Sequence, residues 1–262
     1  MTTTLEQIPA RTEAGLPALR SRRAELERAA DCAPAAPGFL ADWDRRHLAL
    51  IAEVKRRSPS AGVISAQLDP VQHAVSYARA GASAISVLTD GPFFGGSIQD
   101  LRAVAGAVEV PLLRKDFILD EMQLLEARAA GASAALLIVR ALTPRRLKEL
   151  ATFAAGVGLE ILVEVHDAAE LDRALVTPAR FIGVNSRNLD TFAIDVASAW
   201  ALIGQVPPDR VAVAESGMAS LEDVARAAAA GADAVLIGTA LSGAADPGAL
   251  ARQFATVPRR GR

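Results

Sequence analysis

The chain is sparing with several residue types, and each scarcity excludes something. It has one cysteine, Cys32, so no internal disulfide can form and a reducing compartment is expected. It has no excess of positive charge. Against 30 Asp and Glu stand 28 Lys and Arg, a formal net charge of −2, which leaves no basic footprint for nucleic acid. It has no long apolar run: charged residues, glycine or proline interrupt every apolar stretch before the roughly 18–20 residues that a membrane span requires. The segment Met1 to Gln7 lacks a basic region followed by an apolar one, so no signal peptide is expected. The three histidines, His47, His73 and His166, show no metal-ligand spacing, so no metal site is expected. The chain reads as cytoplasmic, with no nucleic-acid or membrane partner, as a monomer or weak homo-oligomer.

Lysine is scarce too. Only Lys55, Lys115 and Lys148 are lysines; the other basic residues are arginines. Asparagine is limited to Asn185 and Asn188.

What is present is repetition. An Ala-rich helix end, a glycine and a short apolar run recur at Ala78 to Leu88, Ala127 to Val139 and Ala228 to Gly238. Glycine suits the left-handed position that ends a helix, and the apolar run suits a strand buried on both faces. Extending the pattern gives eight strands, at 48–55, 84–90, 110–116, 134–140, 160–167, 181–187, 210–216 and 234–239. Helical patterns follow them, for example Asp120 to Ala130, Thr143 to Ala155 and Ser220 to Ala230. Eightfold strand–helix alternation in 262 residues predicts an α/β fold, a (β/α)8 TIM barrel, which typically takes about 250 residues. A doubly wound sheet is the alternative, but no Gly-rich dinucleotide loop follows the first strand. Residues 48–262 are expected to form the barrel, and residues 1–47 an N-terminal extension packed on it. Within the extension, Ala14 to Ala30 reads as an Arg-rich helix and Cys32 to Gly38 as a Pro/Ala-rich connection.

Parallel barrels place active sites at the C-terminal strand ends, and strand residues alternate inward and outward. Alternation puts Glu53 with Lys55, Lys115 with Leu113 and Phe117, Glu164 opposite Val163 and Val165, and Asn185 with Arg187; Glu215 ends the seventh strand. Three acids, Glu53, Glu164 and Glu215, thus meet three bases, Lys55, Lys115 and Arg187, around one cavity. An unpaired buried charge is costly, so a balanced ring predicts a polar site; ion pairs closing the barrel mouth are the structural counterpart. Two of the three lysines fall at these inward ends. A buried lysine gives up a proton far more readily than arginine, which makes Lys55 and Lys115 candidates for proton transfer or anion binding. Lys148 reads as a solvated helix residue.

Phosphate is expected at the loops after strands seven and eight, which carry Glu215-Ser216-Gly217-Met218 and Gly238-Thr239-Ala240. Phe93 and Phe94 offer either a wall for a flat ring or a hydrophobic staple before the helix at Ser97. His166 lies near the site but reads as structural or solvent-facing, and Arg56, Arg57 and Arg114 as surface charges or supports.

Taken together, Ile51 to Ser60, Phe94 to Ser97, Leu113 to Phe117, Leu162 to His166, Asn185 to Leu189 and Glu215 to Gly217 resemble the signature of the indole-3-glycerol-phosphate synthase family, over about residues 48–242. The resemblance implies a lyase of tryptophan biosynthesis that needs no metal or organic cofactor. It would decarboxylate and dehydrate 1-(2-carboxyphenylamino)-1-deoxyribulose 5-phosphate to indole-3-glycerol phosphate. It implies Lys115 as general acid, Glu164 as general base, and Glu53 and Lys55 as orienting catalytic groups. It implies that Asn185, Arg187 and Ser216 position hydroxyl and carboxylate groups and that Glu215 holds the charge network. Phe94, Phe117 and Leu189 would enclose the ring, and Gly217, Gly238 and Thr239, with Lys55 and Ser58, would contact phosphate. Two alternatives stand beside it. One is another phosphate-binding barrel enzyme, such as phosphoribosylanthranilate isomerase, whose chemistry favours a Cys/Asp pair. The other is a catalytically silent paralogue that binds a phosphorylated ligand.

Overall fold

The computed structural model describes residues 7–261. Eight parallel strands close on themselves: β1 (Ala49–Val54), β2 (Ala84–Leu88), β3 (Leu112–Lys115), β4 (Ala134–Ile138), β5 (Glu160–Val165), β6 (Phe181–Asn185), β7 (Val211–Glu215) and β8 (Ala234–Ile237). Neighbours in sequence pair throughout, and β8 closes the ring on β1 through Ala49↔Ala234 to Ala52↔Ile237. The chain is a (β/α)8 TIM barrel with a helical N-terminal extension. The observed strands are shorter than the apolar runs, mostly at the mouth, where the backbone leaves the ladder to form loops.

Alternation sorts the strand residues into two cores. Leu50, Ala52, Ile85, Val87, Leu137, Val163, Ile182 and Val235 point outward and pack against the surrounding helices. Ile51, Ala84, Leu113, Leu136, Leu162, Phe181, Val213 and Leu236 fill the interior. The helices start on side-chain caps: Asp120 and Ser220 form capping boxes at Glu121–Ala129 and Leu221–Ala229, and Thr143 caps Pro144–Gly156. The recurring stop glycines Gly81, Gly131 and Gly231 all adopt positive φ, as the repeat requires.

The extension differs from the single helix at Ala14 to Ala30. It begins earlier and breaks in two, α1 (Gln7–Arg20) and α2 (Arg23–Cys32). The break lies where the Ser21 hydroxyl donates to the Ala18 carbonyl, so a side chain competes with the helix ladder. Arg20 reaches Asp120 at 2.7 Å, at the start of the helix after β3, and Arg128 near that helix's end donates to the Ala33 carbonyl at 3.0 Å. The extension therefore runs down the side of the barrel from mouth to base. There the Phe39 N–H donates to Glu160 at 2.6 Å, and its ring meets Phe181 edge-on at 5.0 Å, sealing the floor.

Candidate active site

The interior-facing position changes character toward the strand ends. Below lie Ile51, Leu113, Leu162 and Val213; one step further along the same faces lie Glu53, Lys115, Glu164 and Glu215. These side chains open into a cavity of about 410 Å³ at the barrel mouth. The residues that the resemblance marks for catalysis or binding line it: Glu53, Lys55, Ser58, Phe94, Lys115, Phe117, Glu164, Asn185, Arg187, Leu189, Glu215, Ser216, Gly217, Gly238 and Thr239; Phe93 does not.

The charges are tightly paired. Lys55 Nζ lies 2.6 Å from Glu53 Oε1. Lys115 Nζ lies 2.6 Å from Glu215 Oε2 and 3.5 Å from Glu164 Oε2. Each of the three carboxylates is 2 % exposed and keeps one oxygen without a hydrogen-bond partner: Glu53 Oε2, Glu164 Oε1 and Glu215 Oε1. Such buried acceptors are rare in folded proteins, because each costs on the order of 1–3 kcal/mol, and they mark a place prepared for another donor.

Three carboxylates against two ammonium groups leave a surplus of negative charge. Burial pulls the Lys115 ammonium down, but Glu215, Glu164 and Glu53 outweigh it and hold the group charged. Burial pushes the Glu53 carboxyl up, but Lys55 and Lys115 together bring it below its ordinary value. Glu215 takes the proton: burial lifts it first, Lys115 opposes, and Glu164 and Glu53 lift it further, to about 7. Near neutral pH the cluster is thus poised to gain or lose one proton.

Two glycines make room for these acids. A Cβ on Gly183 would collide with Glu215 Oε1, and one on Gly238 would collide with Glu53 Oε1. Gly238 thus clears space beside an acid. At the end of β7 the chain turns through two left-handed residues, Ser216 (φ 64°) and Gly217 (φ 72°). For serine this conformation is uncommon and is held here by its surroundings. On the far side, Ser242 donates to the Glu53 carbonyl at 3.2 Å and accepts from the Lys55 N–H at 3.3 Å, tying the loop after β8 to β1.

Arg187 contributes the remaining cation. It donates to the Phe192 carbonyl at 3.1 Å and has no carboxylate partner among the described residues. Burial lowers its guanidinium from the ordinary value, though an arginine stays charged. Asn185 Oδ1 accepts from the Arg187 N–H at 3.0 Å, which fixes the turn presenting the guanidinium.

Some site residues escaped sequence reading. Phe192 and Ile194 line the cavity because the loop after β6 folds back, bridging Arg187 to Ile194. The turn itself was signalled, since Asn188 Oδ1 accepts from the Asp190 and Thr191 amides at 2.9 Å, as turn asparagines do. Its return to the mouth had no local signal. Asp90 also lines the cavity, accepting from the Phe93 and Phe94 amides; burial pushes its carboxyl up. His166 is not solvent-facing. Its side chain is 5 % exposed, between Glu164 and Glu170, because it shares the inward face of β5 two residues beyond Glu164. Arg114 is also buried rather than superficial, paired with Asp116 and Glu126 at 3.0 Å on the outer side of β3. Arg56 pairs with Asp100 at 2.6 Å, Arg57 is exposed, and Lys148 is exposed as expected.

The family profile described as Indole-3-glycerol phosphate synthase matches residues 5–254. The chain belongs to the indole-3-glycerol phosphate synthase family. The indole-3-glycerol phosphate synthase of Arthrobacter sp. (strain FB24) is 49% identical over 229 residues, 86% of this chain and 84% of that one. That of Chlorobium luteolum (strain DSM 273 / BCRC 81028 / 2530) is 54% identical over 194 residues, 74% of each. That of Rhodopirellula baltica (strain DSM 10527 / NCIMB 13988 / SH1) is 46% identical over 238 residues, 90% of this chain and 89% of that one. Among solved structures, a 3-hexulose-6-phosphate synthase superposes with a TM-score of 0.64 at 17% identity, covering 79% of this chain and 98% of that one; this shows the shared barrel alone. No helix among the described residues is long and apolar enough to cross a membrane, and no group of three or more His, Cys, Asp or Glu there could hold a metal ion.

Proposed function

We propose that this family member closes the indole ring of 1-(2-carboxyphenylamino)-1-deoxyribulose 5-phosphate, releasing carbon dioxide and water and yielding indole-3-glycerol phosphate. The observation that carries the reading is Lys115: a charged ammonium held between Glu164 and Glu215 on the floor of a cavity whose rim supplies an uncommitted Arg187.

Ring closure needs a proton donor at the carbonyl oxygen while the aryl carbon attacks. Lys115 Nζ–H is placed to supply that proton, leaving a hydroxyl on the new ring. Loss of carbon dioxide from the aryl carbon that attacked restores aromaticity, the electron pair of the broken carbon–carboxylate bond returning to the ring. The hydroxyl then leaves with a proton as water, while Glu164 takes the ring proton that makes the last double bond. Glu53 and Lys55 orient the substrate beside this pair. Arg187, with Asn185 and Ser216, is suited to the substrate carboxylate and hydroxyls, because an unpaired guanidinium binds a carboxylate bidentately. Gly217, Gly238 and Thr239, with Ser58 and Lys55, would contact the phosphate, and Phe94, Phe117 and Leu189 would flank the aromatic ring; all line the cavity. Positioning does most of the work, since the substrate's own nitrogen supplies the electron push.

The test is direct. Purified protein supplied with the carboxyphenylamino-deoxyribulose phosphate, without added metal, is expected to produce indole fluorescence and one carbon dioxide per turnover. Binding without product would sink the assignment and leave a ligand-binding paralogue.

A further inference from the structure

Behind Glu164 stands a second layer of charge that the ring-closing scheme does not use. His166 Nδ1 lies 3.0 Å from Glu170 Oε2, and the same oxygen accepts from the His166 backbone N–H at 2.8 Å. Arg140, on the turn after β4, donates through Nε to Glu170 Oε1 at 2.8 Å, and its other nitrogens lie 3.8 Å from Asp167 and 3.5 Å from Asp190. Burial pushes the Glu170 carboxyl up, but its bonds from His166 and Arg140 outweigh this and hold it at about 2, so Glu170 is ionised and can only accept. The proton between Glu170 and His166 therefore belongs to Nδ1.

That fixes what faces Glu164. His166 Nε2 and Glu164 Oε1 are 3.5 Å apart, and both are buried without any hydrogen-bond partner. With Nδ1 protonated, a neutral imidazole would turn a lone pair toward a carboxylate oxygen in a site that excludes water. A proton on Nε2 removes the conflict, since the imidazolium then donates to Oε1. The charged groups facing the ring are Glu164 and Glu170, which favour the proton, and Arg140, which opposes it; the two carboxylates outweigh both Arg140 and burial.

We propose that His166 is the positioning residue of Glu164, an imidazolium that holds Oε1 and leaves Oε2 as the single basic oxygen beside Lys115 and the substrate. The inference rests on Glu164 being the base of the ring-closing reaction. Glu170 and Arg140 act one step further out by fixing the ring's tautomer and orientation.

The experiment uses the full chain with the carboxyphenylamino-deoxyribulose phosphate, comparing wild type, His166→Gln and Glu164→Gln across pH. Glutamine keeps a donor for Glu164 but removes the charge. For His166→Gln, kcat is expected to fall about 10-fold with KM within about 2-fold, and the acid limb of kcat to move up by about one pH unit, because the base has lost a neighbouring positive charge. A limb that coincides with wild type, whatever the change in kcat, would overturn the proposal. Retained turnover in Glu164→Gln would instead strike the base assignment itself. Because His166→Gln could fold poorly, ring-nitrogen NMR of the histidine-15N-labelled wild type gives a second reading. His166 is expected to carry protons on both ring nitrogens at pH 7 and to titrate above the ordinary imidazole range. A neutral ring with one protonated nitrogen at pH 7 would overturn the proposal independently.

Discussion

The two ends of the barrel obey opposite rules. At the base, Phe39 meets Phe181 edge-on, Arg259 pairs with the buried Asp233 at 2.5 Å, and the interior is filled by Ala49, Ala134 and Ala234. At the mouth, Glu53 and Glu215 each keep a buried oxygen without a hydrogen-bond partner, two glycines hold space open for them, and Ser216 sits in a left-handed conformation. These groups at the base are paired or packed; the acids at the mouth leave acceptors unsatisfied. The contrast teaches where free energy is spent on holding the chain together and where it is held ready for a ligand.

The sharpest way to break the contrast is at Lys115. Lys115→Ala is expected to lower kcat about 10³-fold or more while substrate affinity changes far less, measured by steady-state kinetics and direct binding. Equal losses in both would make Lys115 a binding group. Next in size is Gly183→Ala, where the new methyl group displaces the Glu215 carboxylate; kcat should fall by about 10²-fold in a protein that still folds, and unchanged turnover would deny Glu215 its place in the network. Phe181→Ala tests the other end. The ring is 1 % exposed, and its loss should cost about 3–5 kcal/mol in denaturant unfolding while KM and kcat of the folded protein stay near wild type. A selective loss of kcat would mean that floor and mouth are not separable.

A smaller effect concerns pH. Glu215 is raised from 4.5 to about 7 in the folded chain, so between these values the native state holds a proton that the unfolded chain does not. Its stabilising contribution is complete below about 4.5 and disappears as pH rises through about 7. Relative to Glu215→Gln, wild type should therefore lose stability between pH 5 and pH 8 in parallel unfolding titrations. A difference that is flat with pH would show that the surplus charge is carried elsewhere. The smallest effect belongs to the surface: Arg145→Ala breaks an exposed pair with Glu149 and should leave Tm and turnover unchanged.

The comparison also explains what could be read in advance. The barrel was legible because its causes are local and periodic: the Ala-rich helix end, the stop glycine and the apolar strand repeat wherever the chain changes direction. The charged ring was legible because alternation converts position in a strand into a direction in space, as for Glu53 and Lys55. What escaped depends on contacts between distant segments. Nothing near Phe192 says that its loop returns to the mouth, and nothing near Ser21 announces that its hydroxyl splits the first helix. The burial of His166 escaped for a related reason, since its partner Glu170 lies on the following helix and Arg140 after a different strand.

The closure of β8 on β1 has a consequence for how the protein comes into being. Ala49 to Ala52 find their second set of partners only at Ala234 to Ile237. During synthesis the first strand therefore waits, one edge open, until the barrel's eighth strand has left the ribosome. Glu53 meets Gly238 across that same seam, so the pocket is completed only by the barrel's eighth strand, and a truncated product lacking it has no finished site.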